Sequence, residues 1–291
     1  MAINLETQNR RARLCRAFIV GSSLALLPVA ASANGAPPAL ELDVSSVLTG
    51  ACAMEGPGGE VSGGASRAVS LSYLNRHPIA AQGWYWSCGL QADNYCFGAG
   101  PGLPRRLQDY AGVLSLEYFQ GDESVAALSV QPGLYFETHA SASAWDVPVN
   151  LTVALPVTRA IDGVVGFSNA RFYHSAVPIL GLEWTLGPQA RLELTYPEPA
   201  LVVDIGAAST LRLGGELAGA GFLSDPTPVR TPIEYESYRV GAEWTWKPHH
   251  GCELAIGSGV EAERSFDYFR QRRLLHGSRA GYLTISATFT R

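Results

Sequence analysis

Apolar and polar side chains alternate along the C-terminal part of the chain. Within residues 237–247 every second side chain is apolar: Tyr238, Val240, Ala242, Trp244 and Trp246. Because successive side chains of a β-strand point to opposite sides, this segment is predicted to be a two-faced strand. Residues 252–264 repeat the scheme after a connector at 248–251. Strands of about ten residues with one apolar and one charged face are typical of transmembrane β-barrels.

The same alternation predicts further strands in the rest of the chain. The segments are 66–74, 109–119, 124–137, 147–155, 160–167, 177–186, 190–196, 200–206, 210–222, 233–247, 252–264 and 280–290. We therefore predict an all-β fold, a transmembrane antiparallel up-and-down β-barrel of about 12 strands, with roughly 10 to 14 as the range.

The connections between these segments alternate in length when they are counted back from the C-terminus. The linker 197–199 is the exception, because it is short where a long loop is due. Outer-membrane barrels place short turns and usually both termini on the periplasmic side, and they have an even number of strands. Residues 39–48 also alternate, but the other segments already give an even number of strands, so 39–48 are not counted as part of the barrel. We assign 34–65 to a partly irregular periplasmic lead-in and 66–291 to the barrel.

The N-terminus has the features of a secretory signal peptide, predicted to span residues 1–33. A region with four arginines precedes an apolar run at 17–31, which ends in Ala31-Ser32-Ala33. A membrane anchor is the alternative, but the run is shorter than the roughly 20 residues of a spanning helix.

The whole chain has a formal net charge of −5. Segment 1–33 has four Arg and one Glu, a net of +3, so the mature chain has −5 − 3 = −8. An acidic chain without a basic stripe argues against nucleic acid as a partner.

The second face of the predicted strands is charged. Residues expected to face the lumen are Glu117, Glu137, Glu183, Arg191, Glu193, Arg212, Glu216, Arg239, Glu243, Lys247, Glu253, Glu261 and Glu263. Charges in a dry interior cost several kcal/mol unless paired, which favours a watery or ion-paired lumen. A soluble barrel or sandwich with these residues outside would give the same alternation. Interrupting glycines and a single lysine in the chain favour the membrane barrel.

Aromatic residues cluster near predicted strand ends. Those expected at the lipid interfaces are Tyr118, Trp184, Tyr238, Trp244, Trp246 and Phe289. Aromatic rings with a polar edge favour the two membrane interfaces. The general preference of aromatics for strands would explain their presence but not their position.

Four cysteines lie after the signal segment. Cys88 and Cys96 are eight residues apart in a predicted loop and are the candidate disulfide pair, since the periplasm is oxidising. Cys52 and Cys252 are an alternative pair. The spacing does not fit a zinc site, and we expect no metal and no cofactor.

From about residue 147 onward the sequence resembles an uncharacterised family of Gram-negative outer-membrane barrels. Four segments carry this resemblance: 191–197 (RLELTYP), 211–216 (LRLGGE), 235–241 (YESYRVG) and 263–268 (ERSFDY). The resemblance implies the outer membrane as the location, with its lipids, lipopolysaccharide and the barrel-assembly machinery as partners, and no established activity. Barrels usually end on an aromatic residue that this machinery recognises, but here Phe289 is followed by Thr290 and Arg291.

Two loops contain residues of chemical interest. His139 and Ser141 loosely resemble the His-x-Ser pair of lipid A deacylases, but no acid is placed beside them, and chance spacing is the simpler explanation. Arg270, Arg272 and Arg273 form a basic cluster that could contact phosphate or another anion. The alternative for this cluster is pairing with lumen glutamates over the barrel mouth. Residues 83–104 are expected to form a large loop that plugs or caps the barrel.

The expected function is that of a passive pore or a closed structural barrel with a polar, charged lumen and an unknown small solute. A surface lipid-modifying enzyme or binding barrel is the second hypothesis, and the chain is expected not to be an enzyme. A soluble secreted β-sandwich or β-barrel binding protein is the third.

Overall fold

The computed structural model describes residues 37–56, 59–98, 100, 102–120, 123–173, 176–225, 230–271 and 273–291. The predicted signal segment 1–33 lies outside them. The strands are β1 (Leu40–Thr49), β2 (Cys52–Gly56), β3 (Gly59–Gly63), β4 (Ser66–Pro78), β5 (Trp84–Phe97), β6 (Arg106–Gln120), β7 (Glu123–Val130), β8 (Gly133–Phe136), β9 (Trp145–Asp146), β10 (Val149–Pro156), β11 (Ile161–Asn169), β12 (Val177–Thr185), β13 (Ala190–Tyr196), β14 (Ala200–Gly206), β15 (Ser209–Leu223), β16 (Pro232–His249), β17 (Cys252–Tyr268), β18 (Arg273–Gly277) and β19 (Ala280–Thr290). Short 3-10 turns span Ala142–Ala144 and Phe269–Gln271. In this part of the chain no helix has the length and hydropathy needed to cross a membrane.

Fourteen strands form the wall of a closed antiparallel barrel. Their order around the wall is β1, β4, β5, β6, β7, β10, β11, β12, β13, β14, β15, β16, β17 and β19. The wall closes where β19 pairs with β1, and Leu40 and Arg291 exchange two backbone hydrogen bonds of 3.0 and 2.9 Å at the end of this seam. The predicted all-β, up-and-down barrel is confirmed, and fourteen lies at the upper limit of the expected range.

Two wall strands account for the difference from twelve. Strand β1 pairs with both β4 and β19. Assigning these residues to a periplasmic lead-in was therefore wrong. Strand β5 pairs with β4 and β6 along its whole length, so residues 84–97 are wall and not a plugging loop. Because two strands were missed, the predicted count stayed even, and the strands from β6 onward have the predicted orientation. The missing β5 left 66–74 next to 109–119 in the prediction, so the predicted direction of 66–74 was wrong, since β4 and β6 both run from the loop end to the terminal end.

The two ends of the barrel differ in their connections. We call the end where Leu40 meets Arg291 the terminal end and the opposite end the loop end. At the terminal end the described connections between successive wall strands are turns of two to five residues, at 79–83, 157–160, 186–189, 207–208 and 250–251. The β2–β3 hairpin, β8, β9 and β18 all lie in connections at the loop end. The turn 197–199 is short there too, as the sequence indicated.

The outer face of the wall is apolar and the inner face is polar. Outward side chains at mid-wall are widely exposed, with Val240 at 47% and Ile285 at 53%. On the inner face Arg239 is 3% exposed and Glu261 is 0%. A soluble barrel would have the opposite arrangement, with an apolar interior and a polar exterior.

Candidate functional site

The lumen is the candidate site, and its charged side chains are paired. Arg76 of β4 donates to Glu41 at 2.8 Å and to Glu117 at 3.1 Å, and all three side chains are at most 9% exposed. These contacts join strands β1, β4 and β6 across the inner face. A buried guanidinium held between two carboxylates satisfies the requirement that a charge removed from water be paired and hydrogen-bonded.

A second group of ion pairs lies on strands β15 to β17. Arg239 contacts Glu216 at 2.8 Å, and Arg264 contacts Glu261 at 2.5 Å. Ser237 donates a hydrogen bond to Glu261 and accepts one of 3.2 Å from Arg239, so the two ion pairs are linked. This network lies mainly among neighbouring strands on one side of the barrel wall.

Two further ion pairs lie closer to the terminal end. Lys247 contacts Glu253 at 2.6 Å, and Arg191 contacts Glu193 at 2.7 Å. Arg212 lies further from its acidic neighbour Glu198, with 3.8 Å between the guanidinium and the carboxylate. Glu183 faces Glu193 across the β12–β13 pairing.

The structure places most of the predicted lumen charges on the inner face. These are Glu117, Glu183, Arg191, Glu193, Arg212, Glu216, Arg239, Glu243, Lys247, Glu253 and Glu261.

Two predicted lumen residues are placed elsewhere. Glu263 faces outward, with its side chain 61% exposed and 3.2 Å from His276. The reason is a β-bulge, since Tyr238 pairs with Glu263 but Arg239 pairs with Glu261, which reverses the alternation after Ala262. Glu137 follows the end of β8 in a loop-end connection. There it accepts a hydrogen bond of 2.9 Å from the backbone of Asp225.

Sequence reasoning missed several lumen charges because it missed their strands. Glu41 and Asp43 lie on β1, and Asp93 lies on β5 opposite Asp109 of β6. Asp93 and Asp109 are 1% and 0% exposed. Alternation with the outward residues of β1 could have revealed Glu41 and Asp43.

Aromatic residues close the lumen at the loop end. We call the inward-facing Tyr95, Phe97, Phe222, Tyr235 and Phe266 the aromatic cap. Ring centroids of Tyr95 lie 5.3 Å from Tyr235 and 5.9 Å from Phe222, and those of Phe97 and Phe266 are 4.9 Å apart. None of the five exceeds 9% exposure. Because β5 and β15–β17 belong to different sides of the wall, these contacts join the two sides across the lumen at this level.

A polar cavity lies on the inner face of β1, β4, β15, β16 and β19. It encloses about 790 Å³ of empty space, including the solvent at its open side. Asp43 and the hydroxyls of Ser45, Ser72 and Ser286 line one side, while Arg212 and Glu243 line another. Such polar linings orient polar solutes.

The two candidate catalytic side chains, His139 and Ser141, have different hydrogen-bond partners. His139 Nδ1 lies 3.1 Å from Asp225 Oδ2. Ser141 Oγ lies instead 3.0 Å from Ser143 Oγ and accepts a 3.2 Å hydrogen bond from Arg230. The structure supplies an acid that the sequence did not indicate, but it does not join the histidine to the serine.

Two carboxyl groups in this loop-end cluster have altered acidity. Burial opposes ionisation of Asp225, but hydrogen bonds from the ring and backbone of His139 outweigh it and lower the pKa of Asp225 below 3.8. Burial raises the pKa of Glu137 above 4.5. Both groups lie outside the wall strands.

The cysteine prediction was wrong. Cys88 and Cys96 are free and lie on one strand, eight positions apart, which separates their Cα atoms by roughly 26 Å. A disulfide needs Cα atoms within about 7 Å. Cys52 and Cys252 are also free, at the loop end and the terminal end respectively.

The basic cluster is described only in part. Arg272 and the side chain of Arg270 lie outside the described residues. The guanidinium of Arg273 lies 5.7 Å from the ring centroid of Tyr268, a cation–π contact at the barrel mouth. Among the described residues no group of three or more His, Cys, Asp or Glu side chains could hold a metal ion.

The aromatic residues predicted for the lipid interfaces lie on the outer face. Trp184, Trp244, Trp246 and Phe289 are 43–47% exposed and lie towards the terminal end. Tyr238 is 40% exposed further along β16. Tyr118 is half-buried, with its ring 5.2 Å from that of Trp84.

No protein-family model matches the sequence, and a comparison with curated proteins finds no match. Among solved structures, the chain is similar to an outer-membrane channel from Pseudomonas putida F1, with 8% identity and a TM-score of 0.48, covering 89% of this chain and 97% of that one. It is also similar to the Pseudomonas putida toluene transporter TodX, with 10% identity and a TM-score of 0.37, covering 96% of each chain. A mutant of the Rh. blastica porin gives 6% identity and a TM-score of 0.29, covering 87% and 100%. These likenesses concern general architecture, and the strand pairing of this chain itself defines the barrel.

Proposed function

We propose that this chain is an outer-membrane β-barrel of a Gram-negative bacterium whose polar lumen is a passive path for small polar solutes. The observation that carries the proposal is the partition of side chains between the two faces of the wall. An apolar, widely exposed outer face needs hydrocarbon around it, and a charged inner face needs water or ion pairs. The aromatic cap closes this path at the loop end in the conformation described.

The connections support an orientation with the terminal end in the periplasm. Short turns and both wall termini lie at that end, which is the usual arrangement in outer-membrane barrels. The loop end would then face lipopolysaccharide, and insertion would depend on the barrel-assembly machinery. The resemblance to an uncharacterised barrel family remains a hypothesis. Trp184, Trp244, Trp246 and Phe289 would anchor the barrel at the periplasmic interface.

Cell fractionation tests the location. We expect the protein in the detergent-extracted outer membrane, migrating faster on gels before heating than after. Recovery of a monodisperse protein from the periplasm without detergent would contradict the proposal.

Single-channel recording in planar bilayers tests the path. The Tyr95→Ala/Tyr235→Ala variant removes two rings that meet from different sides of the wall, so we expect discrete conductance at least about tenfold above wild type, because water replaces an apolar seal. The matched control is Tyr110→Ala/Tyr238→Ala. Tyr110 lies on β6, which pairs with the strand of Tyr95, and Tyr238 lies on the strand of Tyr235, but the two side chains are 50% and 40% exposed on the outer face. The control should conduct as wild type does. A folded cap variant that remains silent would favour a closed structural barrel.

A further inference from the structure

Acidic residues outnumber basic ones on the inner face of the fourteen wall strands. The acidic residues there are Glu41, Asp43, Asp93, Asp109, Glu117, Asp162, Glu183, Glu193, Asp204, Glu216, Glu243, Glu253 and Glu261. The basic ones are Arg76, Arg191, Arg212, Arg239, Lys247 and Arg264. Among the described residues this is thirteen against six, an excess of seven acidic side chains. The excess is six if the facing pair of Asp93 and Asp109 shares one proton.

An excess of fixed carboxylates in a narrow lumen determines whether positively or negatively charged solutes are favoured there. Low-dielectric walls focus the field of the lumen charges, which raises the local concentration of cations and excludes anions. Rings of Asp and Glu are the usual lining of cation-conducting pores. The six basic side chains can neutralise at most six of the carboxylates.

Asp43 is the carboxylate through which the polar cavity could hold a cation. It is 9% exposed, and its Oδ1 is buried without a hydrogen-bond partner. Its Oδ2 accepts a 3.3 Å hydrogen bond from Ser72 Oγ. Glu41, its neighbour on the same face, is already paired with Arg76 at 2.8 Å, and no ion pair to Asp43 is present among the described residues.

The surroundings of Asp43 favour a cation with several N–H donors. Ser45, Ser72 and Ser286 line the same cavity and supply hydroxyl oxygens. A primary ammonium has three donors and no acceptor, which matches one carboxylate oxygen together with nearby hydroxyls. Glu216, another carboxylate of the cavity, is paired with Arg239 and is therefore less available.

We infer that the lumen selects small cations and that Asp43 binds the ammonium group of a small organic cation in the polar cavity. The selectivity half of this inference rests on the proposed path through the lumen. The binding half does not, because the cavity exists with the cap closed.

Saturation-transfer NMR on the detergent-solubilised wild-type barrel tests binding without any conductance. The probe is ethylammonium, and ethanol and acetate serve as neutral and anionic probes of similar size. We expect a signal for ethylammonium alone, and at least a tenfold weaker affinity in Asp43→Asn. Asp204→Asn removes another inner-face carboxylate that does not line the cavity and should bind as wild type does. Equal signals from ethanol, or unchanged binding by Asp43→Asn, would overturn the assignment of Asp43.

Reversal potentials of the Tyr95→Ala/Tyr235→Ala variant in a KCl gradient test selectivity. We expect potassium to permeate several times better than chloride, and Asp43→Asn in this background to reduce the ratio. Conductance that favours chloride would overturn the selectivity while leaving the proposed pore intact. If no variant conducts, the proposed path fails, and the NMR result alone decides whether Asp43 binds the cation.

Discussion

The inner and outer faces of the wall are made by adjacent residues of the same strands, yet they have opposite chemistry. On β16, Arg239 is 3% exposed in an ion-paired network, whereas its neighbour Val240 is 47% exposed on the outside. One step along the backbone thus separates a polar lumen from a surface suited to hydrocarbon. The sequence of each strand therefore fits two environments, hydrocarbon on the outside and a polar lumen on the inside. A shift of the strand pairing by one residue would place every apolar side chain in the lumen and every charged side chain in the hydrocarbon.

At the aromatic cap the inner and outer faces no longer differ in polarity. Near the loop end the inner face becomes apolar, and Tyr95 and Phe222 meet from different sides of the wall. Below it, ion pairs such as Arg239–Glu216 join neighbouring strands instead. The ring contacts of the aromatic cap cross the lumen and narrow it, whereas ion pairs between neighbouring strands leave the centre of the lumen open.

The largest expected effect comes from removing a charge on the inner face. Arg76→Leu leaves Glu41 and Glu117 buried without their basic partner, so we expect a loss of about 3–5 kcal/mol in the free energy of unfolding. Arg67→Leu, on the same strand but exposed outside, should change it by less than about 0.5 kcal/mol. Urea unfolding in lipid vesicles measures both. Equal effects of the two substitutions would contradict the inner position of Arg76.

A charge added to the outer face should lower the free energy of unfolding by an amount that depends on its depth in the bilayer. Ile285 is 53% exposed near the middle of β19, so Ile285→Arg should cost about 2–4 kcal/mol if hydrocarbon surrounds it. Ile205 is 59% exposed near the terminal end of β14, so Ile205→Arg should cost about 0–1 kcal/mol at the interface. The same unfolding assay compares them. Tolerance of arginine at both positions would mean that water surrounds the wall.

The smallest effect is expected at the loop end, outside both faces. Because the pKa of Asp225 is lowered in the fold, its contribution to stability is present above pH 3.8 and is lost as the pH falls through the lower, folded value. Hydrogen exchange of the segment around His139, corrected for intrinsic rates, should therefore increase at that acidic pH. Asp225→Asn should show the increase already at neutral pH. A pH-independent exchange rate in wild type would contradict the contact.

Much of the barrel could be predicted from sequence because alternation is a local signal. The two missed strands show the limits of this signal. Strand β1 alternates clearly, and only the assumed even count removed it. In β5, Gly89 and Asn94 interrupt the pattern, and the aromatic residues of 84–97 occupy both faces.

The remaining errors depend on geometry that local sequence does not contain. The bulge after Ala262 reverses the direction of Glu263, and nothing in the flanking residues indicates where the extra residue lies. Contacts within the aromatic cap join strands more than 100 residues apart, so inward-facing aromatics at strand ends could not be recognised as a seal. The pairing of His139 with Asp225, 86 residues away, is missed for the same reason.

Spin labels placed one at a time at positions 240–246 test the division between the two faces most directly. In reconstituted membranes we expect labels at Val240, Trp244 and Trp246 to collide with oxygen dissolved in the lipid. Labels at Gly241, Glu243 and Thr245 should be shielded from it, so that accessibility alternates with a period of two residues. Uniform accessibility, or high accessibility to a water-soluble nickel chelate at the even positions, would contradict a hydrocarbon-facing outer wall.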